Sequence, residues 1–212
     1  MGGRRVSDFY LNLGHALDHL VMLIYPTAIL AIGADMVGSY GEALRLSIGG
    51  FVAFGACSLP AGWLGDRWSR HGMMVVFFTG IGIACVLTGF ARTPLEIALA
   101  LTLIGIFAAI YHPVGIAMLV GERDNVGRVL GINGVAGNLG VAFAALVTAS
   151  LAETIHWRAA FIVPGTISIA AGIGFAVMVP KRAAAKSAGQ AAHGSRPAQH
   201  ALCMWCLNHL CR

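Results

Sequence analysis

Six apolar segments dominate the chain, and each is close to or above the roughly 20 residues that an α-helix needs to cross a bilayer. Short polar or Pro- and Gly-containing turns separate them. They lie at about residues 9–34, 43–64, 73–91, 95–120, 129–152 and 159–179. Only 11% of the 212 residues are charged, against about a quarter in soluble domains. The sequence therefore predicts an all-α integral membrane protein, with a six-transmembrane-helix bundle over residues 1–180.

The composition changes after Pro180. Residues 181–212 are predicted to form a cytoplasmic linker and an unstructured tail, because residues 181–200 are too polar and small to bury a core and residues 201–212 show no periodicity. Zinc-type ligands crowd the end of this tail, at Cys203, Cys206, His209 and Cys211. Their spacing is cramped for a structural zinc site, so no metal and no cofactor is assigned, and five cysteines make no disulfide framework.

The basic residues fall mostly on one side of a six-span topology. The opposite side holds Arg45, Arg92 and Arg158, and the first side holds the rest, namely Arg4, Arg5, Arg67, Arg70, Arg123, Arg128, Lys181, Arg182, Lys186, Arg196 and Arg212. By the positive-inside rule, both termini are predicted to be cytoplasmic in a multi-pass protein of the cell (inner) membrane. Since these charges sit in short loops and not on one continuous face, nucleic acid is excluded as a partner.

A short polar loop, residues 62–72, lies between the second and third apolar segments. Such a cluster of charge between apolar runs is typical of cytoplasmic loops in membrane proteins. The loop resembles the Gly-x-Leu-Ala-Asp-Arg-x-Gly-Arg-Lys signature of the major facilitator superfamily. The residues that match are Gly62, Leu64, Asp66, Arg67 and Arg70, whereas Ser69 and His71 depart from the signature.

The resemblance covers about residues 9–180 and implies the N-terminal six-helix half of a fold that has two such halves. In the family, this loop latches the cytoplasmic gate against a helix of the second half. Asp66 is expected to face a helix N-terminus, where partial positive charge collects. Arg67 and Arg70 are expected to bind acidic partners or lipid phosphates. An ordinary positive-inside loop is the alternative.

The first apolar segment carries ionisable side chains at membrane depth. His15, Asp18 and His19 stand at positions i, i+3 and i+4 and share one helical face, and Asn12 precedes them. A charge at the bilayer centre costs about 2.5–3.5 kcal/mol on insertion scales, so a function is predicted for Asp18. Desolvation favours the neutral carboxyl group and a nearby imidazolium favours the carboxylate, which suits proton binding. Alternatively, these groups only lock the packing of helices.

The fourth apolar segment contains Tyr111, His112 and Pro113. In the family, the first and fourth helices line the central cavity, so the resemblance implies that His112 could face Asp18. Many proton-coupled members carry an arginine four residues before a glycine here, but Leu101 precedes Gly105 at that offset, so the coupling is assigned to the histidines. These residues are most similar to fosmidomycin-resistance-type exporters. A hydrogen bond within the bundle is an equal alternative for His112.

Glycines recur along the fifth apolar segment, where small residues let helices cross closely. They are Gly131, Gly134, Gly137 and Gly140. A packing role is favoured for them over the weak similarity of this stretch to a motif of drug/proton antiporters.

These observations predict a secondary transporter, not an enzyme, that exports a small organic solute by proton-coupled alternating access. Asp18 is the predicted proton acceptor, and His15, His19 and His112 tune or relay the proton. Its partners would be the solute, protons, the lipid bilayer, and a missing C-terminal half or a second copy. The alternatives are a membrane-embedded metal-binding protein that uses the same histidines with Asp18, and an inactive half-transporter or assembly subunit.

Overall fold

This computed structural model describes residues 2–121 and 123–181, and every regular element within these ranges is a helix. In chain order, the elements are α1 (Gly2–Ile32), α2 (Ala34–Val37), α3 (Tyr40–Arg45), α4 (Ile48–Arg67), α5 (Arg70–Phe90), α6 (Pro94–Ala108), a π-helical turn (Tyr111–Gly115), α7 (Ile116–Val120), α8 (Val126–Thr154) and α9 (Ala159–Met178).

Six helical stretches are long and apolar enough to cross a membrane, which confirms the predicted six-helix architecture. They are Gly3–Ile32, Tyr40–Arg67, Arg70–Phe90, Pro94–Val120, Val126–Thr154 and Ala159–Met178. Several helices extend beyond the apolar segments, since backbone hydrogen bonding continues into polar residues that hydropathy does not mark. The predicted tail with Cys203, Cys206, His209 and Cys211 lies outside the described residues and stays a prediction.

Side-chain caps define where two of the helices begin. Ser69 replaces the glycine of the family signature, and its hydroxyl accepts a hydrogen bond from the backbone N–H of Gly72 at 3.0 Å. At the start of α6, the hydroxyl of Thr93 accepts from the N–H of Glu96 at 3.2 Å, and Pro94 takes the first helical position. Both arrangements satisfy N–H groups that have no partner within the helix, so the polar turns end one membrane helix and begin the next.

The bundle is assembled from close helix pairs, chiefly α5 with α9, α1 with α8, and α4 with α6. Glycine permits close approaches within these pairs: a Cβ atom added at Gly82 on α5 would lie 2.6 Å from the carbonyl oxygen of Gly165 on α9. Large aromatic residues fill the interior, including Phe77, Phe78 and Phe161, all fully buried. These pairings carry α1 and the π-helical turn to the middle of the bundle.

Helices α4 and α8 leave much of their apolar surface uncovered. Leu59 on α4 is 84% exposed and Leu146 on α8 is 60% exposed. Apolar surface of this extent marks a face that meets lipid or another protein segment. The two helices therefore present the faces available to a bilayer or to a partner.

Candidate functional site

The candidate site lies where α1 meets the π-helical turn. Helix α1 contributes His15, Asp18 and His19 from one face, and the turn contributes Tyr111 and His112. A π-helical turn is wider than an α-helical turn and often occurs at functional sites. This turn contains a proline, which has no N–H to donate and thus disfavours a regular helix at that point.

Asp18 is fully buried, and its Oδ2 atom lies 3.5 Å from Nε2 of His112. Neither carboxylate oxygen forms a hydrogen bond with any residue that the structure describes. Burying an ionised carboxylate without such partners is costly, because water no longer solvates the charge. Asp18 therefore needs a proton, or a cation, in its surroundings.

Three imidazole rings stand together beside this carboxylate. Nε2 of His15 lies 3.2 Å from Nε2 of His19. The ring of His112 meets the rings of His15 and His19 edge-on, with centroid distances of 5.3 and 5.6 Å. His15 is buried, whereas His19 and His112 are half-buried. The cluster is thus accessible at His19 and His112 and shielded at His15.

Asn133 on α8 joins three segments of the site. Its side-chain N–H groups donate to Oδ1 of Asn12 at 2.9 Å and to the hydroxyl of Tyr111 at 2.8 Å. Its backbone carbonyl accepts a hydrogen bond from Nδ1 of His15 at 2.8 Å. The Tyr111 hydroxyl in turn donates to the carbonyl of Leu11 at 2.7 Å. This network fixes the orientation of His15 and Tyr111, whose rings stack with centroids 4.9 Å apart.

The four glycines of α8 with a predicted packing role divide into two pairs. A Cβ atom at Gly137 would lie 2.7 Å from ring atoms of His15, and Gly140 meets the backbone of Ala16. At Gly131 and Gly134, an added Cβ atom would meet nothing within 4 Å. Gly137 and Gly140 therefore lie at the α1–α8 contact, while the packing role predicted for Gly131 and Gly134 has no partner among the described residues.

The polar loop predicted at residues 62–72 is mostly helical, since it comprises the last residues of α4, a turn at Trp68 and Ser69, and the first residues of α5. Nη2 of Arg70 donates to Oδ1 of Asp66 at 2.6 Å, with both side chains exposed, and Arg67 lies over the ring of Trp63 at 5.1 Å. Asp66 on the last turn of α4 thus pairs with the first residue of α5, and the gate role of the polar loop stays a prediction. Leu64 is partly exposed at 40%.

Gly62 connects the loop region to the site. A Cβ atom added there would lie 3.1 Å from Cβ of Pro113, the neighbour of His112. The glycine of the signature therefore lets α4 lie directly against the π-helical turn. A shift of α4 would therefore change the packing next to His112.

Sequence reasoning missed the central position of Asn133. The sequence did contain a signal for it, because an amide within an apolar membrane-spanning helix is a candidate functional group for the same reason as a buried acid. Phe54 was also missed, and its ring meets that of His112 with centroids 5.8 Å apart. Together these groups can hold a proton or a cation and offer hydrogen bonds to a polar solute.

Known proteins resemble this chain over most of its length. The sequence profile described as Major Facilitator Superfamily matches residues 11–209. A puromycin resistance protein, pur8, of Streptomyces alboniger is 31% identical over 126 residues, which are 58% of this chain and 25% of that protein. A probable actinorhodin transporter of Streptomyces coelicolor is 29% identical over 188 residues, which are 84% of this chain and 32% of that protein.

A third relative has a different description. The membrane sensor protein UhpC of Escherichia coli is 29% identical over 162 residues, which are 70% of this chain and 34% of that protein. The matched part of this chain thus spans between 25% and 34% of the length of these curated relatives.

Proposed function

Because the chain belongs to the Major Facilitator Superfamily, we propose that it is one half of a secondary transporter that exports a small organic solute in exchange for protons. Family membership and the six apolar helices make it a multi-pass membrane protein of a transport family, not an enzyme. In the proposed mechanism, two six-helix halves rock around a site near the bilayer midplane, which opens to each side in turn.

The proposed proton coupling rests on the environment of Asp18. Its carboxyl group is fully buried and lacks a hydrogen-bond partner among the described residues, and a half-buried imidazole lies 3.5 Å away. An intramembrane carboxyl group of this kind is by default a functional one. We assign Asp18 as the proton acceptor, which is neutral in one state of the cycle and charged in another.

The imidazoles give the proton a route to Asp18. The side chain of His112 is 36% exposed, whereas that of Asp18 is 0% exposed. A proton that enters from the accessible side would therefore meet His112 or His19 before it reaches the carboxyl group. His15 is held by the Asn133 carbonyl and serves to orient and tune the other two rings. Asn12 supplies polar atoms for the solute, and Tyr111, fully buried with its hydroxyl bonded to Leu11 and Asn133, orders the wall of the cavity.

The descriptions of two relatives support an organic solute and its export. One is described as a puromycin resistance protein and the other as a probable actinorhodin transporter. The cluster also suits an organic solute, since aromatic faces lie beside a few oriented polar groups.

We place the chain in the cell (inner) membrane with both termini in the cytoplasm, following the distribution of its basic residues. The uncovered faces of α4 and α8 support a partner, either a C-terminal six-helix half or a second copy. In such a pair, the loop with Asp66, Arg67 and Arg70 would latch the cytoplasmic gate.

The test is transport in everted vesicles from bacteria that express the chain. A pH-sensitive dye reports the proton gradient, and labelled puromycin serves as the first solute. Vesicles with the wild-type chain should accumulate puromycin and dissipate the gradient more than vesicles without it. Asp18→Asn should abolish both effects, whereas the matched change Glu153→Gln, at an exposed carboxyl group on α8, should preserve them.

Transport that continues undiminished in Asp18→Asn would overturn the coupling role. If a panel of organic solutes gave no transport, even with the partner half supplied, an inactive assembly subunit would be the better interpretation. Cross-linking in native membranes identifies the partner, and a strictly monomeric chain would contradict transport by it.

A further inference from the structure

Three imidazoles in the membrane-spanning bundle lie close enough together to share a metal ion after a small rotation of one ring. His15, His19 and His112 each offer one ring nitrogen, and these atoms lie within 4.8 Å of one another. Two of the residues come from α1 and the third comes from the π-helical turn. The folding of distant segments thus builds a cluster that no single helix could provide.

The spacing within the cluster suits tetrahedral coordination. Zinc-to-nitrogen bonds of about 2.0–2.1 Å place two ligand atoms of a tetrahedron about 3.3–3.4 Å apart. The Nε2 atoms of His15 and His19 lie 3.2 Å apart. The widest separation in the cluster exceeds this edge, so one imidazole would rotate inward to complete the set.

The contacts of His15 are those of a metal ligand. Its Nδ1–H donates to the backbone carbonyl of Asn133 at 2.8 Å. In a neutral ring, this leaves Nε2 without a hydrogen and with its lone pair directed away from the carbonyl. Metal-bound histidines almost always donate their other N–H to a carbonyl or a carboxylate in this way.

Asp18 provides an observation that is independent of the geometry of the three histidines. Both of its carboxylate oxygens are buried and unpartnered among the described residues, and one lies 3.5 Å from Nε2 of His112. A cation beside this carboxylate would offset its charge, which neutral imidazoles do not do. The same set of groups thus combines ring nitrogens suited to a metal ion with a buried carboxyl group that has no hydrogen-bond partner among the described residues.

We propose that His15, His19 and His112 bind a divalent transition-metal ion, with Asp18 as the neighbouring charge. Imidazole with carboxylate favours Zn²⁺, Co²⁺ or Ni²⁺ over Mg²⁺ and Ca²⁺, which prefer sets of oxygen ligands. His19 and His112 are half-buried, so the ion is reachable and a position stays available for water or a donor atom of the solute. The inference rests on the proposed function only in that it places the ion in the transport cavity.

The test is Co²⁺ binding to the full chain purified in detergent, because tetrahedral Co²⁺ absorbs visible light strongly. The tail has its own ligand-type residues, so Cys203, Cys206 and Cys211 are first changed to serine. We expect about one Co²⁺ per chain, displaced by Zn²⁺. His19→Ala and His112→Ala should each weaken binding about tenfold or more, whereas His156→Ala, an exposed histidine outside the cluster, should leave it unchanged.

A gain-of-signal variant separates ligand loss from misfolding. His19→Cys replaces one zinc ligand by another, so it should retain Co²⁺ and add an intense thiolate-to-cobalt charge-transfer band. Absence of Co²⁺ binding in the serine background, or equal affinity in the His19→Ala and His112→Ala variants, overturns the proposal. Such a result would leave proton-coupled export standing, while bound Co²⁺ without any gradient-driven transport would overturn the proposed function alone.

Discussion

Nε2 of His112 lies 3.5 Å from Oδ2 of Asp18, although the two residues belong to the fourth and the first membrane-spanning helices. The carboxyl group is fully buried, and the imidazole is partly open to the surroundings. The imidazole can therefore exchange protons with its surroundings directly, whereas the carboxyl group cannot. This difference in access underlies the proposed function and the first prediction.

Asp18→Asn should abolish gradient-driven transport and yet leave the bundle at least as stable as the wild type. The amide carries no charge, so the variant avoids the desolvation penalty of a buried carboxylate, which is about 1–3 kcal/mol or more for an unpartnered group. Thermal unfolding in detergent, followed by circular dichroism, measures the change. A marked fall in the unfolding temperature would show that Asp18 has a structural role.

Asn133→Ala should destabilise the bundle by about 1–3 kcal/mol, because Asn12 and the Tyr111 hydroxyl each lose a donor in a largely buried setting. Asn138→Ala is the matched control on the same helix. Its side chain is exposed and bonds only the Gly134 carbonyl, so its effect should stay within about 0.5 kcal/mol. Equal unfolding temperatures for the two variants would contradict a central role for Asn133.

Gly137→Ala and Gly134→Ala should have opposite effects. A methyl group at Gly137 would press against the His15 ring, and overpacking of this kind costs about 1–3 kcal/mol. At Gly134 the added carbon meets nothing within 4 Å, and alanine in a helix is favoured over glycine by about 0.5–1 kcal/mol. Unfolding measurements on both variants test the assignment of the α1–α8 contact.

Arg70→Ala should reduce transport with little effect on stability. The pair of Arg70 with Asp66 is exposed, with 47% and 64% of the two side chains accessible, and exposed ion pairs contribute at most about 1 kcal/mol. A gate role would appear as slower efflux in vesicles at an unchanged unfolding temperature. Wild-type efflux in Arg70→Ala would favour the alternative of an ordinary positive-inside loop.

The sequence predicted those features that depend on local pattern. Six apolar segments of sufficient length define the membrane helices, which the structure confirms. The spacing of His15, Asp18 and His19 puts them on one face whatever α1 packs against. The family resemblance supplied the pairing of the first and fourth helices, and with it the approach of His112 to Asp18.

Features that depend on contacts between distant segments could not be predicted in this way. Asn133 binds His15 and Asn12 across more than 100 positions of sequence, and periodicity does not say which face of α8 meets α1. The same holds for the difference between Gly134 and Gly137, which have identical chemistry but different neighbours. The π-helical turn has no reliable pattern beyond the presence of Pro113.

The π-helical turn, Tyr111–Gly115, has a consequence for comparing relatives. Such a turn holds an extra residue relative to the α-helix around it, and each residue turns the chain by about 100° around the helix axis. A homologue with one residue fewer at this point would direct a different side chain toward α1. A one-residue gap opposite Tyr111–Gly115 in an alignment would therefore mark members that lack the pairing of His112 with Asp18, even where both residues are present.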